Sequence, residues 1–366
     1  MSPNKRTGRK RDYVGVLSSV FAIVIGLLVG FVILLICNPS QALPGFVTIL
    51  TGAFTHGLKG VGQVFYYATP IILTGLSVGF AFKTGLFNIG TPGQFIVGAF
   101  AAVYVGIMWT GLGRIQWAVA LLAAILGGAL WGMVPGVLKA CFNVNEVIAS
   151  IMMNYIGMYM VNWIVKSYKP LFNNLRNESR NVEATAQIPK MGMDKLFPES
   201  SVGGGILLAV AAVLLIWVIL NKTTFGYELK AVGFNRDAGR YAGINEKRNI
   251  IMSMVIAGAI AGMAGGLLYL AGTGKHIEIK DVLAPEGFTG ISVALLGLSH
   301  PIGVLFSGLF IAYLTAGGFY LQLFEFSTEI IDIIVAVIIY FSAFALIVKT
   351  FLTRMNRKRE KGGGQI

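Results

Sequence analysis

The chain has 366 residues, of which 55% are hydrophobic and only 12% are charged. Because soluble globular proteins carry about 25% charged residues, this composition excludes a soluble protein and indicates an all-α, polytopic membrane protein. The formal net charge of +13 does not indicate nucleic-acid binding, since the aromatic residues lie in apolar runs and not among the basic ones.

Apolar runs divide the chain into about ten predicted transmembrane helices, which form a membrane domain over residues 14–352. Basic tails flank this domain at 1–13 and 353–366. A further moderately apolar stretch, 46–60, indicates a short surface helix. The predicted spans are 13–36, 64–82, 95–109, 117–137, 144–165, 202–220, 250–270, 286–298, 302–320 and 330–351.

The distribution of lysine and arginine predicts the orientation of the chain. With the N-terminus in the cytoplasm, ten crossings return the C-terminus to the cytoplasm, so both basic tails lie inside. The polar segment 221–248 would also be cytoplasmic, and the long polar segment 166–202 would be extracytoplasmic. This arrangement agrees with the positive-inside rule, because few basic residues remain in the short outside loops. Those residues are Lys59, Arg114, Lys275 and Lys280.

The segment from Gly85 to Gln94 interrupts the helical pattern between the second and third spans with three glycines and one proline. Such a sequence cannot form a continuous helix, and irregular backbone at membrane depth must be buried in protein or line a polar cavity. Asn88, Thr91 and Gln94 offer amide and hydroxyl groups in this break. They either bind a neutral polar substrate or satisfy the backbone groups that the break frees.

Glu146, Ser150 and Asn154 recur every four residues on the fifth span and therefore share one helix face. Asn143 followed by Glu146 matches the ends of a capping box, so we predict a capping role for this pair in preference to a role in transport. Asn154 lies deeper, where it either lines a cavity or forms a hydrogen bond between helices. The candidate translocation path therefore consists of Asn88, Thr91, Gln94 and Asn154.

Two glycine-rich segments, 128–136 and 258–266, have similar sequences on different spans. Small residues at this spacing are typical of membrane helices that pack closely, because they let two backbones approach each other. Close packing explains the similarity better than an internal repeat does.

The polar segment between the sixth and seventh spans contains the pattern of a short helix. Asn235 is predicted to cap its N-terminus, and Gly243 is predicted to end it. Ala238, Tyr241 and Ala242 are spaced i, i+3 and i+4, which places them on one small apolar face. This helix would either dock a partner or belong to a solvated loop.

Residue patterns of enzyme active sites and cofactor sites are absent from the sequence. The three histidines, His56, His276 and His300, are far apart, and their spacing does not suit a metal site. The nearest approach to a Walker A sequence, Gly272 to His276, lacks the first glycine and the final Ser or Thr. We therefore expect no catalytic residue, no metal, no cofactor and no nucleotide hydrolysis by this chain.

Four segments together resemble the permease subunits of ABC importers, in the family that includes ribose and branched-chain amino acid permeases. The branch they resemble most is the nucleoside or simple-sugar permeases that work with a binding protein of the basic-membrane-lipoprotein type. At Thr91 and Pro92 this family often has Ala and Glu, so the chain lacks a carboxylate there. The four segments are 85–94, 143–156, 223–244 and 257–266.

The resemblance implies a multi-pass protein of a bacterial plasma membrane that imports a nucleoside or a related simple sugar. It implies three protein partners besides the lipid bilayer: a cytoplasmic ABC ATPase subunit, a second and usually non-identical permease subunit, and a lipid-anchored substrate-binding protein outside. A stand-alone facilitator or secondary carrier for a small polar solute is the alternative hypothesis. The resemblance also assigns the loop 221–248 to coupling with the ATPase. Its predicted coupling residues are Gly226, Lys230, Gly233, Asn235, Ala238, Tyr241, Ala242 and Gly243.

Overall fold

The structure of the chain is a computed structural model that describes residues 5–343. It is helical, in agreement with the predicted fold class, apart from one antiparallel hairpin, β1 (Phe172–Asn173) and β2 (Glu178–Ser179). The predicted tail 353–366, the end of the predicted tenth span and the first four residues of the N-terminal tail lie outside the described residues.

The long helices follow the apolar runs, and the short helices Met193–Leu196, Thr224–Phe234 and Arg236–Tyr241 lie in the polar segments between them. Their bounds are α1 (Lys5–Cys37), α2 (Ala42–Thr55), α3 (Gly57–Lys83), α4 (Thr91–Met108), α5 (Gln116–Phe142), α6 (Glu146–Ser167), α7 (Met193–Leu196), α8 (Gly205–Lys222), α9 (Thr224–Phe234), α10 (Arg236–Tyr241), α11 (Glu246–Tyr269), α12 (Pro285–Leu296), α13 (Pro301–Phe319) and α14 (Thr328–Ala343). The predicted short helix at 46–60 corresponds to α2 and the start of α3.

Seven helical stretches of the described chain are long and apolar enough to cross a membrane, and they coincide with the predicted second to seventh and ninth spans. The helix α1 lies at the predicted first span and is continuous over 33 residues. The seven stretches are Gly57–Lys83, Thr91–Met108, Thr110–Phe142, Glu146–Ser167, Gly205–Lys222, Glu246–Tyr269 and Pro301–Phe324.

The predicted eighth span, 286–298, is a short helix in the structure, as the sequence indicates, and is shorter than a membrane crossing requires. It forms α12, whose 12 residues extend only about 18 Å at a rise of 1.5 Å per residue. Since the hydrocarbon core is about 30 Å thick, α12 alone is too short to span it. Pro285 occupies its first turn, and left-handed backbone at Leu298 and Ser299 follows its end.

The helices α5 and α11 pack with their backbones in contact, as the two glycine-rich segments predict. A Cβ atom at Gly128 would overlap the carbonyl oxygen of Gly258, and one at Gly132 would lie 2.5 Å from the carbonyl oxygen of Met254. No side chain fits between the two helices at these positions. This close packing forms the centre of the bundle, against which α3 and α4 also pack.

The chain forms two compact units. One contains the described residues up to Gly52 and from Leu314 onward. Within it α1 packs against α14, where Gly30 lies against Ile334. The other unit, Ala53–Tyr313, contains every candidate site residue that the sequence predicts.

Candidate functional site

The helical pattern breaks between Lys83, the last residue of α3, and Thr91, the first residue of α4. The glycines and the proline therefore predict the break correctly, although residues 91–94 already belong to α4. Pro92 lies in the first turn of α4, where its missing N–H removes no helical hydrogen bond. Residues 84–90 are the non-helical part of the break.

Asn88 and Gln94 form a reciprocal pair of amide hydrogen bonds across the break. The Asn88 Nδ2 donates to Gln94 Oε1 at 2.9 Å, and the Gln94 Nε2 donates to Asn88 Oδ1 at 3.2 Å. The backbone N–H of Gly90 also donates to Asn88 Oδ1, at 3.0 Å. Both side chains are at most 1% exposed, so they complete the hydrogen bonds of a buried, irregular backbone.

Asn154 of α6 joins the break to a neighbouring helix. Its Oδ1 accepts a hydrogen bond from the backbone N–H of Gly93 at 2.8 Å, and its Nδ2 donates to the carbonyl oxygen of Ile89 at 3.0 Å. Of the two roles that the sequence left open for Asn154, the structure shows the hydrogen bond between helices. Thr91 donates from its hydroxyl to the carbonyl oxygen of Asn88 at 3.4 Å.

The structure thus brings together the four residues of the candidate translocation path, and their hydrogen bonds stay within the protein. Their part in binding substrate stays a prediction. Ser150 lies one turn before Asn154 and is fully buried, and no hydrogen-bond partner for its hydroxyl is found among the described residues. The sequence placed Ser150 on the same helix face but gave no reason to single it out.

The capping prediction for Asn143 is wrong. Asn143 has a φ of +53° and follows the last residue of α5, because asparagine tolerates the left-handed backbone that ends a helix. The N-cap of α6 is Asn145, whose Oδ1 accepts from the backbone N–H of Val147 at 2.9 Å. Glu146 is the first residue of α6, and its carboxylate lies 2.7 Å from the Nζ of Lys139 in a largely buried ion pair.

The polar loop between α8 and α11 folds into two helices, of which the sequence predicted only the second. Thr223 caps α9 by accepting the backbone N–H of Gly226 at 3.0 Å. Asn235 caps α10, as predicted, by accepting the backbone N–H of Ala238 at 3.1 Å. Gly243, with a φ of +78°, follows the end of α10 and confirms the predicted stop.

The predicted apolar face of α10 lies on the surface of the described chain. Tyr241 is 95% exposed, and Ala238 and Ala242 are also exposed. Phe234, at the end of α9, is 90% exposed beside this face. Two large aromatic side chains that are almost fully exposed on one short loop indicate a surface suited to a protein partner. Lys230 lies half-buried on α9.

A backbone contact joins this loop to the break. A Cβ atom at Gly233, near the end of α9, would lie 2.5 Å from the carbonyl carbon of Thr84, and one at Gly85 would overlap the backbone of Gly233. The Thr84 hydroxyl also forms a hydrogen bond with the hydroxyl of Ser253 on α11. A buried apolar cluster surrounds the contact, so the loop and the break are packed as one body. Its members are Leu86, Val232, Ile250 and Met254.

At the opposite end of α3, the segment between α11 and α12 carries an ion pair. The Lys275 Nζ lies 2.9 Å from Glu286 Oε1, and the Tyr66 and Thr273 hydroxyls are 3.1 Å apart. Burial tends to lower the pKa of Lys275, but the negative charge of Glu286 more than offsets it and holds that pKa above its usual range. This pair therefore ties α12 to the chain before it.

Three curated relatives are similar over most of the chain. The guanosine ABC transporter permease protein NupP of Bacillus subtilis is 38% identical, over 93% of this chain and 96% of the relative. The nucleoside ABC transporter permease protein NupB of Lactococcus lactis is 34% identical, over 93% of each. The glucose ABC transporter permease protein TsgB13 of Haloferax volcanii is 32% identical, over 81% of this chain and 78% of the relative.

No solved structure matches the chain. The family model described as branched-chain amino acid transport system / permease component matches residues 60–343. The matched region contains the break, the α9–α10 loop and the glycine-rich contact of α5 with α11. The chain therefore belongs to this family of transport-system permease components.

Proposed function

We propose that the chain is the membrane-spanning permease subunit of an ABC importer for a nucleoside. The observation that carries the proposal is the exposed apolar face of α10, joined through Gly233 and Gly85 to a break within the helix bundle of a permease-family protein. A permease that is driven by a separate ATPase requires a surface on which that partner docks. It also requires contacts that connect this surface to the interior of the helix bundle.

The names of NupP and NupB indicate a nucleoside as the substrate, while the name of TsgB13 indicates a simple sugar. A nucleoside is a neutral polar molecule at physiological pH. The candidate translocation path contains amide and hydroxyl groups and no charged side chain, as a site for such a molecule would, and in this structure these groups are bonded within the protein. These groups are those of Asn88, Thr91, Gln94 and Asn154.

The proposed orientation has both termini and the loop 221–248 in the cytoplasm and the segment 166–202 outside. Its ten crossings require α12 to cross together with the chain on either side of it, because the 12-residue helix alone is too short. A multi-pass location in the plasma membrane is supported by the seven apolar helical stretches and by the excess of basic residues in the proposed inside segments. The proposed partners are an ABC ATPase subunit, a second and non-identical permease subunit, and a lipid-anchored binding protein. ATP hydrolysis occurs on the ATPase, so the chain itself is not an enzyme.

In the proposed mechanism, ATP binding closes the ATPase subunits and displaces α10. Because Val232 on α9 packs against Gly239 of α10, the two helices move together. The Gly233–Gly85 contact carries the displacement to the break, which contains the Asn88–Gln94 pair. A rigid shift of this kind switches packed elements between two arrangements, here outward and inward access.

The docking role of α10 is tested with Ala238→Glu in the transporter assembled with its ATPase. A charge placed in a buried apolar contact is costly, so we expect ATPase co-purification and nucleoside uptake to fall about tenfold or more. Ala184→Glu is the matched control, because Ala184 is also exposed but lies in the segment 166–202. Unchanged co-purification and uptake for Ala238→Glu would refute docking at α10. Nucleoside uptake by the purified chain alone in proteoliposomes would favour a facilitator.

A further inference from the structure

An open polar cleft lies on the segment between α6 and α8, away from the break and from the α9–α10 loop. Its cavity volume is about 800 Å³, within the range of about 300–1,000 Å³ that is typical of small-molecule sites. Polar and charged side chains dominate its lining. The lining residues are Lys169, Phe172, Asn173, Asn174, Arg176, Glu178, Arg180, Asn181 and His276.

The cleft has an ordered floor. The strand β2 is bonded to the segment before α12, where the backbone N–H of Ser179 donates to the carbonyl oxygen of Ile277 at 2.9 Å. The backbone N–H of Ile277 donates in return to Ser179 Oγ at 3.0 Å. Ile277 itself is buried in an apolar cluster with Val161 and Val165 of α6. The lining residues of the hairpin are therefore held on the helix bundle.

The lining has an excess of positive charge, with Lys169, Arg176 and Arg180 against the single carboxylate of Glu178. Arg180 donates from Nε to the carbonyl oxygen of Phe172 at 3.2 Å, which fixes its stem and leaves its terminal nitrogens available. The Arg176 Nη1 is 3.8 Å from Glu178 Oε1, too far for a hydrogen bond. Guanidinium groups in such an arrangement suit a phosphate or a carboxylate.

The neighbouring Glu278 does not cancel this excess. Its carboxylate accepts a hydrogen bond from the Lys280 Nζ at 2.8 Å. That hydrogen bond, together with the Lys280 charge, lowers the pKa of Glu278. The negative charge of Glu278 is therefore paired outside the cleft.

Two polar atoms in the floor of the cleft are buried and have no hydrogen-bond partner in the described part of the chain. They are Glu178 Oε1 and His276 Nδ1, on side chains that are each 13% exposed. The His276 Nε2 is 4.0 Å from Glu178 Oε1, beyond hydrogen-bond range. A buried carboxylate oxygen without a hydrogen-bond donor is costly, so the Glu178 carboxylate is under-satisfied in the described chain and a donor in the cleft would stabilise it.

We propose that this cleft binds a phosphate monoester that also carries hydroxyl groups, such as a nucleoside monophosphate. The phosphate lies against Arg176, Arg180 and Lys169, and a hydroxyl donates to the carboxylate of Glu178. A neutral nucleoside would not use the three cations. The site is therefore distinct from the candidate translocation path, and its occupancy does not depend on transport or on the orientation of the chain.

The test is calorimetric titration of the purified full-length chain in lipid nanodiscs with AMP, inorganic phosphate and adenosine. We expect AMP to bind saturably, inorganic phosphate to compete with it, and adenosine not to compete. The double substitution Lys169→Gln/Arg176→Gln should weaken AMP binding at least about tenfold, because two charge-assisted contacts are lost. Both side chains are exposed, so these substitutions leave the fold intact.

Matched controls separate the cleft from general surface charge. Arg114→Gln/Lys195→Gln removes the same two charges from exposed positions outside the lining and should leave AMP binding unchanged. Glu178→Gln should weaken AMP more than inorganic phosphate, because only AMP has ribose hydroxyls that can donate to Glu178 while its phosphate occupies the cations. Absence of saturable AMP binding, equal competition by adenosine, or equal losses in the two double variants would each overturn the proposal.

Discussion

The break and the helix α10 are both short segments between long helices of the same unit. They differ in their surroundings, because the polar groups of the break are buried and bonded within the protein and the apolar face of α10 is exposed. In the break, Asn88, Gln94 and Asn154 are buried and bonded to the chain itself. In α10, Tyr241 and Ala238 are exposed. A segment whose hydrogen bonds are complete is specified by its own chain, whereas an exposed apolar face on a polar loop is suited to contact with a partner.

The contact between Gly85 and Gly233 joins the buried break to the loop that carries the exposed helix α10. A rigid break cannot respond to a partner by local rearrangement, because its polar groups are already paired. It can respond by moving as a body with α9, since closely packed interiors transmit displacement. We therefore propose that α10 receives force and that the Gly85–Gly233 contact transmits it.

The largest effect is expected from Gly233→Ala, which would break the connection between the two regions. The added Cβ atom would lie 2.5 Å from the carbonyl carbon of Thr84, so α9 must move away from the break. Overpacking of this kind costs about 1–3 kcal/mol of folding free energy. We expect nucleoside uptake to fall at least about tenfold, while ATP hydrolysis by the assembled transporter continues.

The matched control is Gly111→Ala, because an added Cβ atom at Gly111 meets no atom within 4 Å. Uptake and ATP hydrolysis are measured together in proteoliposomes that contain the assembled transporter. If Gly233→Ala supports uptake at the level of Gly111→Ala, the contact does not transmit force.

A smaller effect is expected from Asn154→Ala, which tests whether the break is fixed by its internal hydrogen bonds. The substitution leaves the N–H of Gly93 and the carbonyl oxygen of Ile89 without their partner. A buried group left unsatisfied costs about 1–3 kcal/mol, so the Tm should decrease by several degrees. Met152→Ala on the exposed side of α6 should change the Tm less. Equal Tm values for the two variants would show that the break is not held by Asn154.

Local signals in the sequence were sufficient for the break and for α10. Glycine and proline at 85–94 exclude a helix wherever the segment lies, and Asn235 and Gly243 act through backbone groups a few residues away. These local signals could not show whether Asn143 or Asn145 caps α6. Either asparagine can cap a helix or end one, and the turn from α5 decides which does.

The contacts that join the site were not accessible from the sequence, because they link residues far apart in the chain. No local pattern pairs Asn154 with Gly93 or Gly85 with Gly233. The bounds predicted for α12, 286–298, agree with Pro285–Leu296 to within two residues. Only its count as a full crossing lacks support, because a helix of 12 residues is too short to span the hydrocarbon core.

The smallest effect is expected from Asn235→Ala, which sharpens the comparison by weakening α10 without changing its apolar face. Loss of the hydrogen bond from the N–H of Ala238 costs about 1 kcal/mol locally, and Asn235→Gly costs only a few tenths. Because α10 is a short surface helix, we expect no change in the Tm of the whole chain. ATPase co-purification should instead decrease about two- to fivefold for Asn235→Ala and less for Asn235→Gly, since α10 must fold in order to dock. A decrease in Tm with unchanged co-purification would mean that α10 stabilises the chain itself and has no part in docking.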